Sequence, residues 1–422
     1  MDGECDVPQS LMPKPRILTP SQPKLPDAVL PRRESFFRFR RMDIRRNIHL
    51  SHFQLRNVFA STSRSRIFYP SVGTVQQYNP LTGHSRAIMN LSDAPASQIS
   101  TLAAGHGVLV AGGFGGEYIL RHLDADEPEN TACHEGVITA SASGITNHIA
   151  VYQARTSSAP LAAFASNDNC FRVMDIATET WLSRETLDFA PNCTAVSPDG
   201  RLRVMVGDSL DVVITAAESR QRSGEPEIMQ RLSGHRDYGF ACDWADDGWT
   251  IATAFQDKTV KIWDARRFTD SAGSAVSVCT LRSEMAGVRS LRFSPIGSGK
   301  RVLVAAEEAD FVNIIDAQTF QSKQTVDVFG ELGGISFANG GRDLMVLCCD
   351  RTRGGILQLE RCAQREEFTE LAEDEFNRGD HTPRREVTSD WPRSMFTEEQ
   401  RVRRTSARGG MGFGAGVELD PF

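Results

Sequence analysis

Two short stretches hold the side chains best suited to chemistry. "SGHRD" (233–237) presents His235, and "DKTVKIWDARR" (257–267) presents Asp257 and Trp263. A His, an Asp and a nearby Thr can relay protons, and the same set can equally form a hydrogen-bonded joint inside a fold. A relay needs a nucleophile placed beside the His, and the sequence supplies none there. HExxH and GxSxG patterns are absent, and no close-set His/Cys group is spaced for a metal. "GSGKR" (297–301) has Ser294 where a phosphate loop needs its first glycine and Arg301 where it needs Ser or Thr. "GGFGGEY" (112–118) lacks the last glycine of a dinucleotide fingerprint and a helix after it. It reads as a tight turn. No catalytic residue, cofactor or metal is therefore assigned, and the joint is the preferred reading of His235 and Asp257.

A joint implies elements to be joined. From about 44 to 360 the chain shows short apolar alternations separated by Gly, Asn, Asp and Pro turns, the pattern of strands. Four turns repeat: "SPDG" ending at Gly200, "ADDG" at Gly248, "SPIG" at Gly297 and "ANGG" with its matching glycine at Gly340. Each follows a bulky apolar residue (Val196, Trp244, Phe293, Phe337) and precedes two further strands. Weaker copies stand at 166–175, 107–123 and 72–79. Seven units of roughly 40–55 residues result, the period of four-stranded propeller blades. In "TVKIW", Val260 and Ile262 face one neighbouring blade while Thr259 and Trp263 face the other.

These residues resemble WD40 repeats, most fully over 232–264 and at the turns of Gly200, Gly297 and Gly340. The resemblance implies an all-β, seven-bladed propeller. It also implies that His235, Thr253, Asp257 and Trp263 form a buried hydrogen-bonded tetrad. Met174, Ile214, Ile315 and Leu359 take the Trp position in other units, where packing replaces the tetrad. Many propellers close their ring with a strand from one terminus, and 44–50 is expected to do so here. "GGFGGEY", "FASND" (164–168), "RSEMAGVRSLRFSP" (282–295) and "FGELGGISF" (329–337) further resemble a fungal and plant WD-repeat family whose C-terminal half is a domain of unknown function.

The function this implies is a non-catalytic scaffold that binds partner proteins or peptides on its top-face loops. Arg236, Asp237, Tyr238 and Phe240 occupy loop positions that contact partners in this family. "WDAR" matches the WDxR pattern of substrate receptors for cullin-4 ubiquitin ligases, with Asp257, Asp264 and Arg266 as the residues that would dock the adaptor. A propeller enzyme would need acidic or His side chains converging in the central channel.

Composition bounds the rest. The 422 residues carry 40% hydrophobic and 24% charged residues and a net charge of −7, so nucleic acid is not the default partner. No apolar run approaches the ~20 residues of a membrane span. No secretory signal is visible. Nine cysteines without a CxxC pair fit reduced thiols in cytoplasm or nucleus. "NLS" at Asn90 and "NCT" at Asn192 are then chance matches to the glycosylation pattern. Residues 1–43 are rich in proline and end in "RRESFFRFRRMDIRR"; 361–422 carry an acidic and then a basic run, with a short helix conceivable over 366–376. Both segments read as mostly disordered tails. The Arg/Phe run could meet RNA or an acidic membrane, though packing against its own acidic domain is favoured. Ser35 in "RRES" and Ser406 in "RRTS" match basophilic kinase sites.

Overall fold

A computed structural model describes residues 32–45, 47–91, 98–123, 133–141, 143–154, 157, 159–218 and 222–362. The 366–376 segment, Ser406 and most of both expected tails lie outside them.

The repeat glycines set the chain's geometry. Gly200, Gly248, Gly297 and Gly340 all have φ between 59° and 89°, where a Cβ is strained. Each reverses the chain between the first and second strand of a unit. The units become seven antiparallel blades over 60–90, 99–137, 146–186, 191–232, 239–282, 288–331 and 332–361, numbered 1 to 7; each has four strands, the fourth of blade 7 coming from Phe37–Ile44, and Ser223–Gly224 adds a short parallel strand to blade 3. The long strand Ser322–Ala338 serves twice. Its first half is the outer strand of blade 6, and its second half is the inner strand of blade 7. Each inner strand touches the inner strands of the blades on either side, and that of blade 7 touches that of blade 1. The ring is closed: the protein is a seven-bladed β-propeller.

Apolar surface is buried between blades. Val260 and Ile262 pack on Val288, Leu291 and Leu303 of blade 6. Trp263 points the other way, onto Val204 and Ile214 of blade 4. The period-2 alternation of "TVKIW" thus serves both neighbours.

The closing strand is Phe37–Ile44, paired antiparallel with Gly355–Arg361. The expected 44–50 is too late by about one strand, and the expected tail of 1–43 includes the strand itself. Arginine hid it. An outer edge strand buries one face only, so Arg38, Arg40 and Arg41 stand among Phe37, Phe39 and Met42 and the run reads as charged. The preceding residues clamp the seam. Arg32–Arg33 pairs parallel with Ser322–Lys323. Glu34 accepts from Lys300 Nζ (2.8 Å) and Ser322 Oγ (2.6 Å). Gln324 Oε1 accepts from the backbone N–H groups of Phe36 and Phe37. Both phenylalanine rings are buried, so two of the three in the Arg/Phe run belong to the core.

One register assignment also changes. The turn between the second and third strands of blade 4 holds one residue more than that of blade 5. Arg203 pairs with Thr215 where Ile251 pairs with Trp263. Thr215, not Ile214, therefore occupies the Trp position of blade 4.

Candidate partner-binding face

We call the face on which the inner strands begin the upper face. In blade 5 it is built on a chain of hydrogen bonds. Trp263 Nε1 donates to Thr253 Oγ1 (2.9 Å), and Thr253 Oγ1 lies 3.0 Å from His235 Nε2. An indole N–H can only donate, so the Thr hydroxyl passes its own hydrogen to Nε2 and the imidazole proton sits on Nδ1. That proton meets Asp257 Oδ2 at 3.2 Å. Thr259 Oγ1 and the Arg236 backbone N–H also donate to Asp257, at 2.7 and 2.9 Å. Phe255 stacks on the imidazole, with centroids 3.6 Å apart and planes 5° from parallel.

The electrostatics suit a joint. Burial pulls the His235 pKa below its usual value and keeps the ring neutral. Burial alone would raise Asp257, but the hydrogen bonds from His235 and Thr259 hold it at about 2. The Thr253 hydroxyl is fully buried and engaged on both sides, so no substrate reaches it. The four residues expected to form the tetrad are brought together, and the arrangement holds a loop in place. The anchored Arg236 N–H begins that loop, and Gln256 N–H donates to Tyr238 O (2.8 Å) at its far end.

The loop presents Arg236, Asp237 and Tyr238 to solvent, Tyr238 with 49% of its surface exposed. Phe240 is half-buried at the channel mouth, and the Arg289 guanidinium lies 3.8 Å above its ring. Gln256, next to Asp257 in the tetrad turn, accepts a hydrogen bond from Arg289 Nη2. Arg289 was not among the residues singled out from sequence. Its role depends on side-chain contacts with a neighbouring blade, which no local motif records.

Other blades anchor the same loops differently. In blade 6, Glu307 replaces the His–Asp pair. It accepts from the backbone N–H groups of Glu284, Met285 and Ala286 at 2.6–2.9 Å and from Asn313 Nδ2 at 2.9 Å. In blade 3 the turn Asp168 pairs with Arg172 Nη2 at 2.5 Å. Sequence reasoning missed Glu307 because its main donors are backbone groups that any residue supplies.

The WDxR residues do not form one surface. Asp257 is in the tetrad turn with 8% of its side chain exposed. Asp264 and Arg266 lie past the other end of the Thr259–Asp264 strand, ~20 Å away at ~3.3 Å per residue. Arg266 is 64% exposed, yet it grips Asp264 through Nε (2.9 Å) and Nη2 (2.7 Å) and covers the Trp249 ring. "GGFGGEY" forms the hairpin between Val108–Gly113 and Glu117–His122, with Gly116 at φ 80°. "GSGKR" likewise joins two strands of blade 6. Ser35 is exposed beside the Glu34 clamp. Asn192 spends its amide on Asp208 and on Gly239 O. Among the described residues eight cysteines are free, no group of three or more His, Cys, Asp or Glu is placed to hold a metal, and no helix is long and apolar enough to cross a membrane.

The fold is that of the WD40 β-propellers. A chain in the crystal structure of the mitotic checkpoint complex superposes with a TM-score of 0.59 at 14% identity, covering 85% of this chain and 99% of that one. The WD40 β-propeller domain of Doa1 gives 0.56 at 13% identity over 75% and 95% of the two chains, and the Dos1 propeller 0.53 at 14% over 70% and 75%. No family model matches. An uncharacterized protein of Schizosaccharomyces pombe is 24% identical over 317 residues, spanning 70% of this chain and 85% of that protein.

Proposed function

We propose that this propeller is a non-catalytic scaffold that binds a partner protein or peptide at the upper mouth of its channel, around blade 5. The observation that carries this reading is one cluster. Exposed Arg236, Asp237 and Tyr238 adjoin Phe240 and Arg289, all positioned by a rigid buried network. Tyr and Arg are the types enriched in binding hot spots, and a stiff loop loses little entropy when a partner docks. The complete tetrad of blade 5 stands directly under this loop and fixes the turn that carries Gln256. The free thiols fit a reducing compartment, cytoplasm or nucleus.

The test is quantitative affinity capture with the wild-type chain and with the double variant Arg236→Ala, Tyr238→Ala. Specific partners are expected to fall at least tenfold while the melting temperature holds. Unchanged capture of every partner removes this face from the function. A ligase-receptor role makes a different demand, that Arg266→Ala abolish co-purification of a cullin-4 adaptor.

A further inference from the structure

Six inner strands carry a β-bulge at the same point near their start. The bulged residues are Ser100, Asn147, Asn192, Phe240, Arg289 and Gly333, and a bulge re-aims its side chain. At three of them the side chain ties its blade to the next. Ser100 Oγ donates to Thr146 O (2.6 Å), Asn147 Nδ2 to Pro191 O (3.1 Å), and Asn192 Nδ2 to Gly239 O (3.1 Å). The acceptor is always the residue just before the next bulge. This side-chain girdle stops at blade 5. Phe240 has nothing to donate, and Gly333 has no side chain.

Arg289 could continue the girdle and does not. It turns back, so that Nη2 reaches Gln256 Oε1 and Glu308 Oε2 (3.2 Å). Its Nε and Nη1 have no protein partner, although the residue is only 5% exposed. Such unmet N–H groups are costly in a protein interior. Arg289 borders the channel mouth beside Phe240 and Arg56, where a space of about 20 Å³ fits one water or the tip of a side chain. Arg56 adds a second buried guanidinium, its own nitrogens bonded to Phe53 O, Leu332 O and Glu331. The counter-charges Glu308 and Glu331 sit further out, 30% and 54% exposed.

Resting on the scaffold reading above, we propose that Arg289 is the specificity residue of this face and binds the carboxylate of an Asp or Glu side chain inserted by a partner peptide. A carboxylate oxygen accepts a charge-assisted hydrogen bond from Nη1, while Nε–H, on the opposite edge of the guanidinium beside Nη2, is left to water. The small space excludes bulky groups. Tyr238 and Arg236 at the rim take the peptide on either side of the acid. Burial lowers the Arg289 pKa against the opposing pull of Glu308, and an added anion reverses that imbalance.

Two measurements decide it. Wild-type crystals soaked in bromide are expected to show an anomalous peak within hydrogen-bond reach of Arg289 Nη1. No peak there overturns the proposal, and this arm needs no variant. Selection of a random peptide library on the full chain is expected to enrich peptides with an acid at one fixed position. Arg289→Gln, checked for an unchanged melting temperature, weakens those peptides by roughly 30-fold or more, the cost of truncating a buried charged pair. Enriched peptides that lack the acid, or keep full affinity for Arg289→Gln, refute the carboxylate while leaving the scaffold reading in place. Binding that survives Tyr238→Ala and Arg289→Gln alike refutes the scaffold reading of this face. A bromide peak without any enriched peptide indicates an adventitious ion only and also overturns the proposal.

Discussion

Thr253→Val isolates the tetrad's contribution. The substitution is nearly isosteric and removes one hydroxyl from a fully buried position. Two groups lose their partner together, the Trp263 Nε1 donor at 2.9 Å and the His235 Nε2 acceptor at 3.0 Å. Each unsatisfied buried group costs about 1–3 kcal/mol, so the variant loses about 2–6 kcal/mol. That lowers the melting temperature by roughly 5–15 °C at a few degrees per kcal/mol. Urea unfolding followed by far-UV circular dichroism reads the change in every variant. Thr253→Ser keeps the hydroxyl and loses only a methyl, so it costs about 1 kcal/mol. In a double-mutant cycle with Trp263→Phe, the indole–hydroxyl term appears as a coupling of about 1–2 kcal/mol. A Thr253→Val chain within about 0.5 kcal/mol of wild type, with no coupling, refutes the view that this network holds the blade.

Three further outcomes follow from the same geometry. Asp243, half-buried near the end of the Gly239–Trp244 strand, accepts from Phe293 N–H, and burial pushes its pKa up to about 6. A raised pKa makes its stabilising effect complete below the usual aspartate range and lost as pH rises through about 6, so Asp243→Asn gains on wild type by about 3 kcal/mol between about pH 4 and pH 7.5 in paired denaturation curves. Phe37→Ala removes a buried ring from the closing strand, costs about 3–4 kcal/mol and raises hydrogen exchange along Gly355–Arg361, whereas Phe39→Ala, at a ring 44% exposed, costs well under half as much. Ser35→Glu sets a second negative charge beside the Glu34–Lys300 clamp and lowers the melting temperature by a few degrees through about 0.5–1 kcal/mol, while Ser35→Ala leaves it unchanged.

What could be read from the sequence was what local physics dictates. A turn that requires positive φ calls for glycine, so Gly200, Gly248, Gly297 and Gly340 marked the period and with it the propeller. A buried indole needs an acceptor, so Trp263 pointed to Thr253 and onward to His235 and Asp257. The features missed depend on distant pairing. The closing strand is a half-exposed edge, so its arginines masked its alternation. A one-residue longer turn moved the Trp position of blade 4 from Ile214 to Thr215, a shift invisible without the partner strand. Arg289 is set apart only by falling on a bulge and by leaving the inter-blade girdle, and both facts exist only once the ring is closed.

The central claim is that blade 5 is built to hold a binding surface at the channel mouth. Hydrogen-exchange footprinting of the full chain with its captured partner tests it most directly. We predict added protection confined to the loop at 236–240, the turn at Gln256 and the start of the Val288–Phe293 strand. Protection along the outer strand Phe37–Ile44 or around Arg266, with none at 236–240, contradicts the account.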